Sequence, residues 1–246
     1  LLFAPGVYKV MPIKGIVMWN SHGFNLSKKD TTIEQWVDIG FAKKDEQLYA
    51  QRGIFHVKNI FVMNVPPFKQ REYCGSWTMP RYGQLTSLGS HVHKRGVLFR
   101  TWMPPQEPGC THAKGCKPNT DKPAYTSTIY DDPVELVFDK PVSFNGEEAK
   151  TRTFKYCAVF DNGSTKKTAV KRRSKSDNAL PGACSDTDVA CLNGPKQGEL
   201  CGGKNSFCDT KPGAGDGQCD ACPLRGGLTT EDEMLILLGS YYINKP

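Results

Sequence analysis

No apolar run in the sequence approaches the roughly 20 residues that a membrane-spanning helix needs, so nothing here is expected to cross a bilayer. Helix signals are equally scarce. The one helix start is Asp30-Thr-Thr-Ile-Glu-Gln-Trp-Val37, with Asp30 or Thr31 as cap and Glu34 in the first turn. The first residues, Leu1-Leu2-Phe3, bring neither a methionine nor a basic n-region, so they read as a trimmed or cleaved start and not as a signal peptide. The net charge of +7 is moderate and gathers in Lys166-Lys167 and Lys171-Arg172-Arg173-Ser174-Lys175. No aromatic residues interleave with those charges, so an exposed loop is expected there and no nucleic-acid partner. Histidines number only five, which makes the place of each informative.

Cysteine, in contrast, is plentiful. Ten cysteines in a chain of 246 residues with 24 glycines and 17 prolines indicate a disulfide framework and an oxidising compartment: secreted, periplasmic or cell-surface. Six of them (Cys184, Cys191, Cys201, Cys208, Cys219, Cys222) fall in a polar stretch, residues 164–222, that has too few apolar residues to bury a core alone. Most of these six are expected to pair within the stretch. Cys219 and Cys222 have the spacing of a redox motif, but no βαβ context surrounds them, so structural disulfides are favoured. Cys110 and Cys116 are close enough to pair locally. Zinc ligation by Cys110, His112 and Cys116 competes with that, but no fourth ligand has the right spacing. Asp209, Asp216 and Asp220 suggest calcium only loosely, since their spacing is not that of an EF-hand.

Elsewhere the patterning is that of short strands separated by proline- and glycine-rich turns, which indicates an all-β chain. Gly15–Leu26 is a strand-like run with His22 at its end. Ile60–Cys74 holds Pro66-Pro67 between two strand-like runs. Val134–Phe138 alternates, and Phe154–Gly163 is a strand closing on an Asn-Gly turn. Gly83–Trp102 reads as strand, kink, strand. Within it His91 and His93 must share one face while Val92 takes the other, because strand side chains alternate. Two imidazoles on one face can converge on one metal ion; the same pattern also occurs as a solvated or hydrogen-bonded pair. His56 lies in a β-type run and is expected to be structural.

Near the C-terminus, Thr229-Thr-Glu-Asp-Glu-Met234 runs directly into the apolar Leu235–Tyr242. On its own, Met234 reads as a core methionine. Taken together, His-x-His followed much later by Asp-Glu-Met and a Tyr-Tyr strand resembles the second domain of the ascorbate-dependent type II copper monooxygenases. That family includes the peptidylglycine α-hydroxylating and dopamine β-hydroxylating enzymes. The resemblance implies antiparallel jelly-roll β-sandwiches, with the end of a first domain in residues 1–56 and a second domain in 57–246 carrying the insertion 164–222. The insertion looks like bacterial secreted cysteine-rich repeats. The resemblance further implies that His91, His93 and Met234 hold the oxygen-activating copper, a donor set whose soft sulfur suits Cu(I). His22 would be one ligand of a second, electron-transferring copper reduced by ascorbate.

The resemblance also implies some departures. In the family, the electron-transferring copper needs an adjacent His-His pair, and this sequence has none. A missing N-terminal segment, or another chain, is therefore expected to complete the first domain. The peptide-hydroxylating enzyme has an arginine where this chain has Gly89, and an asparagine and a tyrosine where it has Ile236 and Leu238. A peptide carboxylate is accordingly not the expected substrate, and which small molecule or peptide replaces it is open. In the animal enzymes the cysteine resembling Cys157 bonds one just after the methionine. That neighbour is Leu235 here, so Cys74 and Cys184 become the candidate partners. The function implied is a secreted copper- and ascorbate-dependent monooxygenase, or its oxygen-binding half. The alternative is a disulfide-rich structural or interaction protein that keeps the jelly roll without turnover.

Overall fold

A computed structural model describes residues 5–11, 29–32, 34, 36, 38–104, 123–171, 184, 187–202, 208, 219–227 and 232–246. His22, Cys110, His112, Cys116, Asp209, Asp216 and the run Gly15–Leu26 lie outside them. The chain divides into two compact units, 1–52 and 53–246.

In the first unit, β1 (Val7–Tyr8) pairs in parallel with β2 (Tyr49–Ala50), following a single 3₁₀ turn at Lys44–Glu46. The helix expected from Asp30 is not formed among the described residues of that segment. Trp36 stands 85% exposed there. A short helix is marginal in water unless one apolar face is packed, and the Trp36 side chain is not.

The second unit is built from strands. They are β3 (Arg52–Val57), β4 (Asn64–Val65), β5 (Gln70–Thr78), β6 (Gly83–His91), β7 (Gly96–Trp102), β8 (Tyr125–Ser127) and β9 (Leu136–Phe144). They continue with β10 (Thr153–Asp161), β11 (Val170–Lys171), β12 (Ala221–Cys222), β13 (Leu224–Arg225) and β14 (Ile236–Ile243). Two four-stranded sheets dominate, in the orders β5-β10-β7-β8 and β3-β14-β6-β9. Every pairing recorded within them is antiparallel. The chain is all-β, as its composition indicates.

The alternation of β10 shows how the sequence selects this arrangement. Phe154, Tyr156, Ala158 and Phe160 face inward and are fully buried, joining Phe99 of β7. From the other sheet, Leu85 and Leu88 of β6, Leu237 and Tyr241 of β14 and Ile54 of β3 enter the same core. Each such large side chain contributes about 1.5–3 kcal/mol by leaving water. Cys157 faces the opposite way and meets its cross-strand partner Cys74 in a disulfide, which decides between the two candidates.

The six late cysteines all pair among themselves: Cys184–Cys222, Cys191–Cys208 and Cys201–Cys219. Cys219 and Cys222 thus bond outward to different partners, and the redox-type spacing does not close on itself. Sulfur replaces aliphatic carbon in this lobe, whose small core is the cysteines with Val189. Asn162, fully buried, ties the lobe to the sandwich. Its amide donates to the Val65 carbonyl at 3.0 Å and the Cys222 carbonyl at 2.8 Å, and its oxygen accepts from Val170 N–H at 2.8 Å. Gly163 follows with φ at +91° and no room for a Cβ, which would lie 2.6 Å from Ala169 N. The Asn-Gly turn is therefore specified twice over.

His56, on β3, is structural as expected. Its Nδ1 lies 2.7 Å from the hydroxyl of Tyr156, whose ring stacks on Phe99. Burial, and then the Lys58 charge, hold the imidazole below its ordinary value of 6.5. The unfolded chain therefore takes up this proton more readily than the folded one, and the stability present above pH 6.5 is lost as pH falls. Denaturant titrations at pH 7 and pH 5 should show a smaller acid loss for His56→Gln than for the natural chain. An identical loss in both would show that another group titrates.

Candidate metal centre

The site forms where β6 ends and β14 begins. In the ladder between them Ile236 lies opposite His91, Leu237 opposite Ser90 and Leu238 opposite Gly89. Residues directly opposite share a face, so Gly89, His91, Ile236 and Leu238 lie together, away from the core face that Leu88, Ser90 and Leu237 bury. The ladder ends at the Ile236–His91 rung, and Met234 lies two residues before it in the chain.

The His91 and His93 rings are 5.1 Å apart, edge to face, while Val92 points into the core at 6% exposure. Both histidines and Met234 are half-buried. His93 Nδ1 lies 2.5 Å from the carbonyl oxygen of Asp232. A carbonyl can only accept, so Nδ1 carries the proton and Nε2 is left with its lone pair. An imidazole held in this way has the tautomer and orientation of a metal ligand backed by a second hydrogen bond.

Glu233 fixes the next part of the site. Its carboxylate is buried and accepts the backbone N–H groups of His93 at 3.0 Å and Arg95 at 2.7 Å. Burial pushes its carboxyl up to about 7, opposed by those two N–H bonds and by the charges of Arg95 and Lys94. Gly96 N–H donates to the His93 carbonyl at 2.9 Å, closing a tight turn between β6 and β7. A Cβ at Gly96 would lie 2.6 Å from Val92 Cγ2, so only glycine permits the turn to close against this core residue. Backbone and side-chain bonds from a single segment, Asp232–Glu233, thus hold His93 in place.

Sequence reasoning quoted Asp-Glu-Met for its methionine and assigned no part to the two residues before it. The available signal was an acidic pair immediately ahead of an apolar strand, where burial of a carboxylate demands donors. The structure brings His91 beside His93 and brings the segment preceding Met234 onto His93. The groups of sulfur and carboxylate with metal-ligand spacing among the described residues, Cys201-Cys208-Cys219 and Glu72-Cys74-Cys157, consist largely of disulfide sulfur and offer no thiolate. No described helix is long and apolar enough to cross a membrane, and the four disulfides fit an oxidising compartment. No family model and no curated protein matches this chain.

Proposed function

We propose that His91, His93 and Met234 bind copper, and that the chain is the oxygen-activating part of a copper- and ascorbate-dependent monooxygenase acting on a C–H bond. One observation carries the reading. His91 and His93 stand edge to face, and the carbonyl of Asp232, two residues before Met234, accepts the bond that orients the His93 ring. The two sequence segments of the family resemblance, far apart in the chain, meet at this point. Copper at such a site supplies the one-electron chemistry needed to activate dioxygen, and a thioether favours its reduced state.

The chain's own residues position the ligands. Asp232 fixes the His93 tautomer and Glu233 fixes the turn that carries it. Beside the histidines Ile236 stands opposite His91 and Leu238 opposite Gly89; Ile236 is buried and Leu238 half-buried, so apolar side chains flank the site. Neither supplies the polar anchor that a peptide carboxylate needs. Two antiparallel four-stranded sheets agree with the jelly roll of this family. Secretion or a periplasmic location follows from the disulfides on the same reading. His22 would serve a second copper, whose remaining ligands must come from outside these 246 residues because no His-His pair lies within them.

The disulfide-locked lobe favours a second reading, a binding protein that holds copper without turnover. Ascorbate-dependent oxygen consumption by the copper-loaded chain separates the two. The monooxygenase reading expects consumption once the electron-transferring partner is present, and none with His93→Ala. Stoichiometric copper binding with no consumption under any of these conditions would favour the binding protein.

A further inference from the structure

Between β3 and β4 the chain turns through residues 58–63 and presents two neighbouring apolar side chains to water. Phe61 is 75% exposed and Val62 69%. Apolar residues scattered singly over a surface are ordinary, but two in succession on a firmly held turn are not.

The turn is fixed at both ends. The N–H groups of Val62 and Met63 both donate to the Asn59 carbonyl at 3.1 Å. Asn59 takes the left-handed conformation, with φ at +59°, and its side-chain amide donates to the Cys74 carbonyl at 3.0 Å. Met63, next after the pair, is buried in the core. Asn64 N–H then donates to the Tyr73 hydroxyl at 2.8 Å, and that hydroxyl donates to the Asn64 carbonyl at 2.9 Å. Gly226 packs so closely on the Ile60 carbonyl that a Cβ there would lie 1.9 Å from it. With the backbone held in this way, Phe61 and Val62 stay outside. A cation also stands at each end. Lys58 directly precedes Asn59, and the Arg71 guanidinium donates to the Asn64 carbonyl at 2.8 Å. Both are exposed, and among the described residues no carboxylate pairs with either. Arg225, opposite Asn64, is ion-paired with Asp188 and adds no free charge.

We propose that this turn docks on an anionic lipid surface, with Phe61 and Val62 entering the interface and Lys58 and Arg71 meeting the headgroup phosphates. A small apolar insertion backed by cations gives reversible binding to anionic lipid. Two side chains cover far less than the roughly 800 Å² per partner of a stable protein interface, which favours lipid over a protein partner. The docking uses none of His91, His93 and Met234, so it stands or falls separately from the copper reading.

Co-sedimentation of the full chain with mixed phosphatidylserine–phosphatidylcholine vesicles, and with phosphatidylcholine alone, tests it at an ionic strength of about 0.1 M. The expected result is binding to the mixed vesicles that falls about tenfold or more in Phe61→Ser with Val62→Ser, and about fivefold in Lys58→Gln. These side chains are exposed, so the variants should fold normally. Val134→Ser with Val137→Ser removes two valines that are 70% and 64% exposed elsewhere, and should leave binding within about twofold. No binding to the mixed vesicles, equal binding to phosphatidylcholine alone, or an equal loss in the valine control would each overturn the proposal. So would a Phe61–Val62 variant that binds as the natural chain does, since the net charge of +7 alone would then draw the chain to the surface.

Discussion

His93→Ala should abolish stoichiometric copper binding. The substitution removes one of two adjacent imidazoles and, with it, the ring nitrogen bonded to the Asp232 carbonyl. Loss of an outer hydrogen bond alone typically costs about 10–100-fold in metal affinity, and loss of the ligand should cost more. Met234→Ile makes a sharper companion. It keeps an apolar side chain of similar size but removes the thioether, so Cu(I) affinity should fall well beyond Cu(II) affinity. Competition titrations with chelators selective for each oxidation state measure both. If Met234→Ile weakened the two states equally, or neither, the sulfur would be a packing atom and the assignment of Met234 would fail.

Asn162→Ala should be among the most destabilising single changes in the second unit. The side chain is fully buried, and its removal strands the Val65 and Cys222 carbonyls and the Val170 N–H together. A buried polar group left without a partner costs about 1–3 kcal/mol, so a total of about 3 kcal/mol or more is expected. The cysteine lobe should also detach from the sandwich before the sandwich itself unfolds, because its disulfides keep it folded while its docking bonds are gone. Denaturant midpoints and limited proteolysis within 187–202 would show both effects. A midpoint unchanged to within about 0.5 kcal/mol would mean that water replaces all three bonds and that Asn162 is no anchor.

Much of this was legible in the sequence because period-2 alternation is local. The pattern Phe154-x-Tyr156-x-Ala158-x-Phe160 fixed which face of β10 is buried, and His91-Val92-His93 fixed which residues share the outer face. The Cys74–Cys157 bond was one of two candidates and needed the cross-strand register to be settled. What local pattern cannot carry is long-range pairing. Nothing in Cys219-Asp-Ala-Cys222 reveals that its two sulfurs bond to Cys201 and Cys184. The same holds for Glu233, whose carboxylate finds its donors on His93 and Arg95, nearly 140 residues earlier in the chain. At Asp30–Val37 the local signal misled. A capping residue and an acidic first turn favour a helix by a kcal/mol or so, about what an unpacked helix of this length lacks.

X-ray absorption at the copper edge, on the disulfide-intact chain loaded with one equivalent of copper and reduced with ascorbate, tests the central claim most directly. The account predicts a single Cu(I) with imidazole nitrogen and one sulfur scatterer, the sulfur disappearing in Met234→Ile and the imidazole contribution falling in His93→Ala. A reduced copper with no sulfur neighbour, or a spectrum that neither substitution alters, would contradict it.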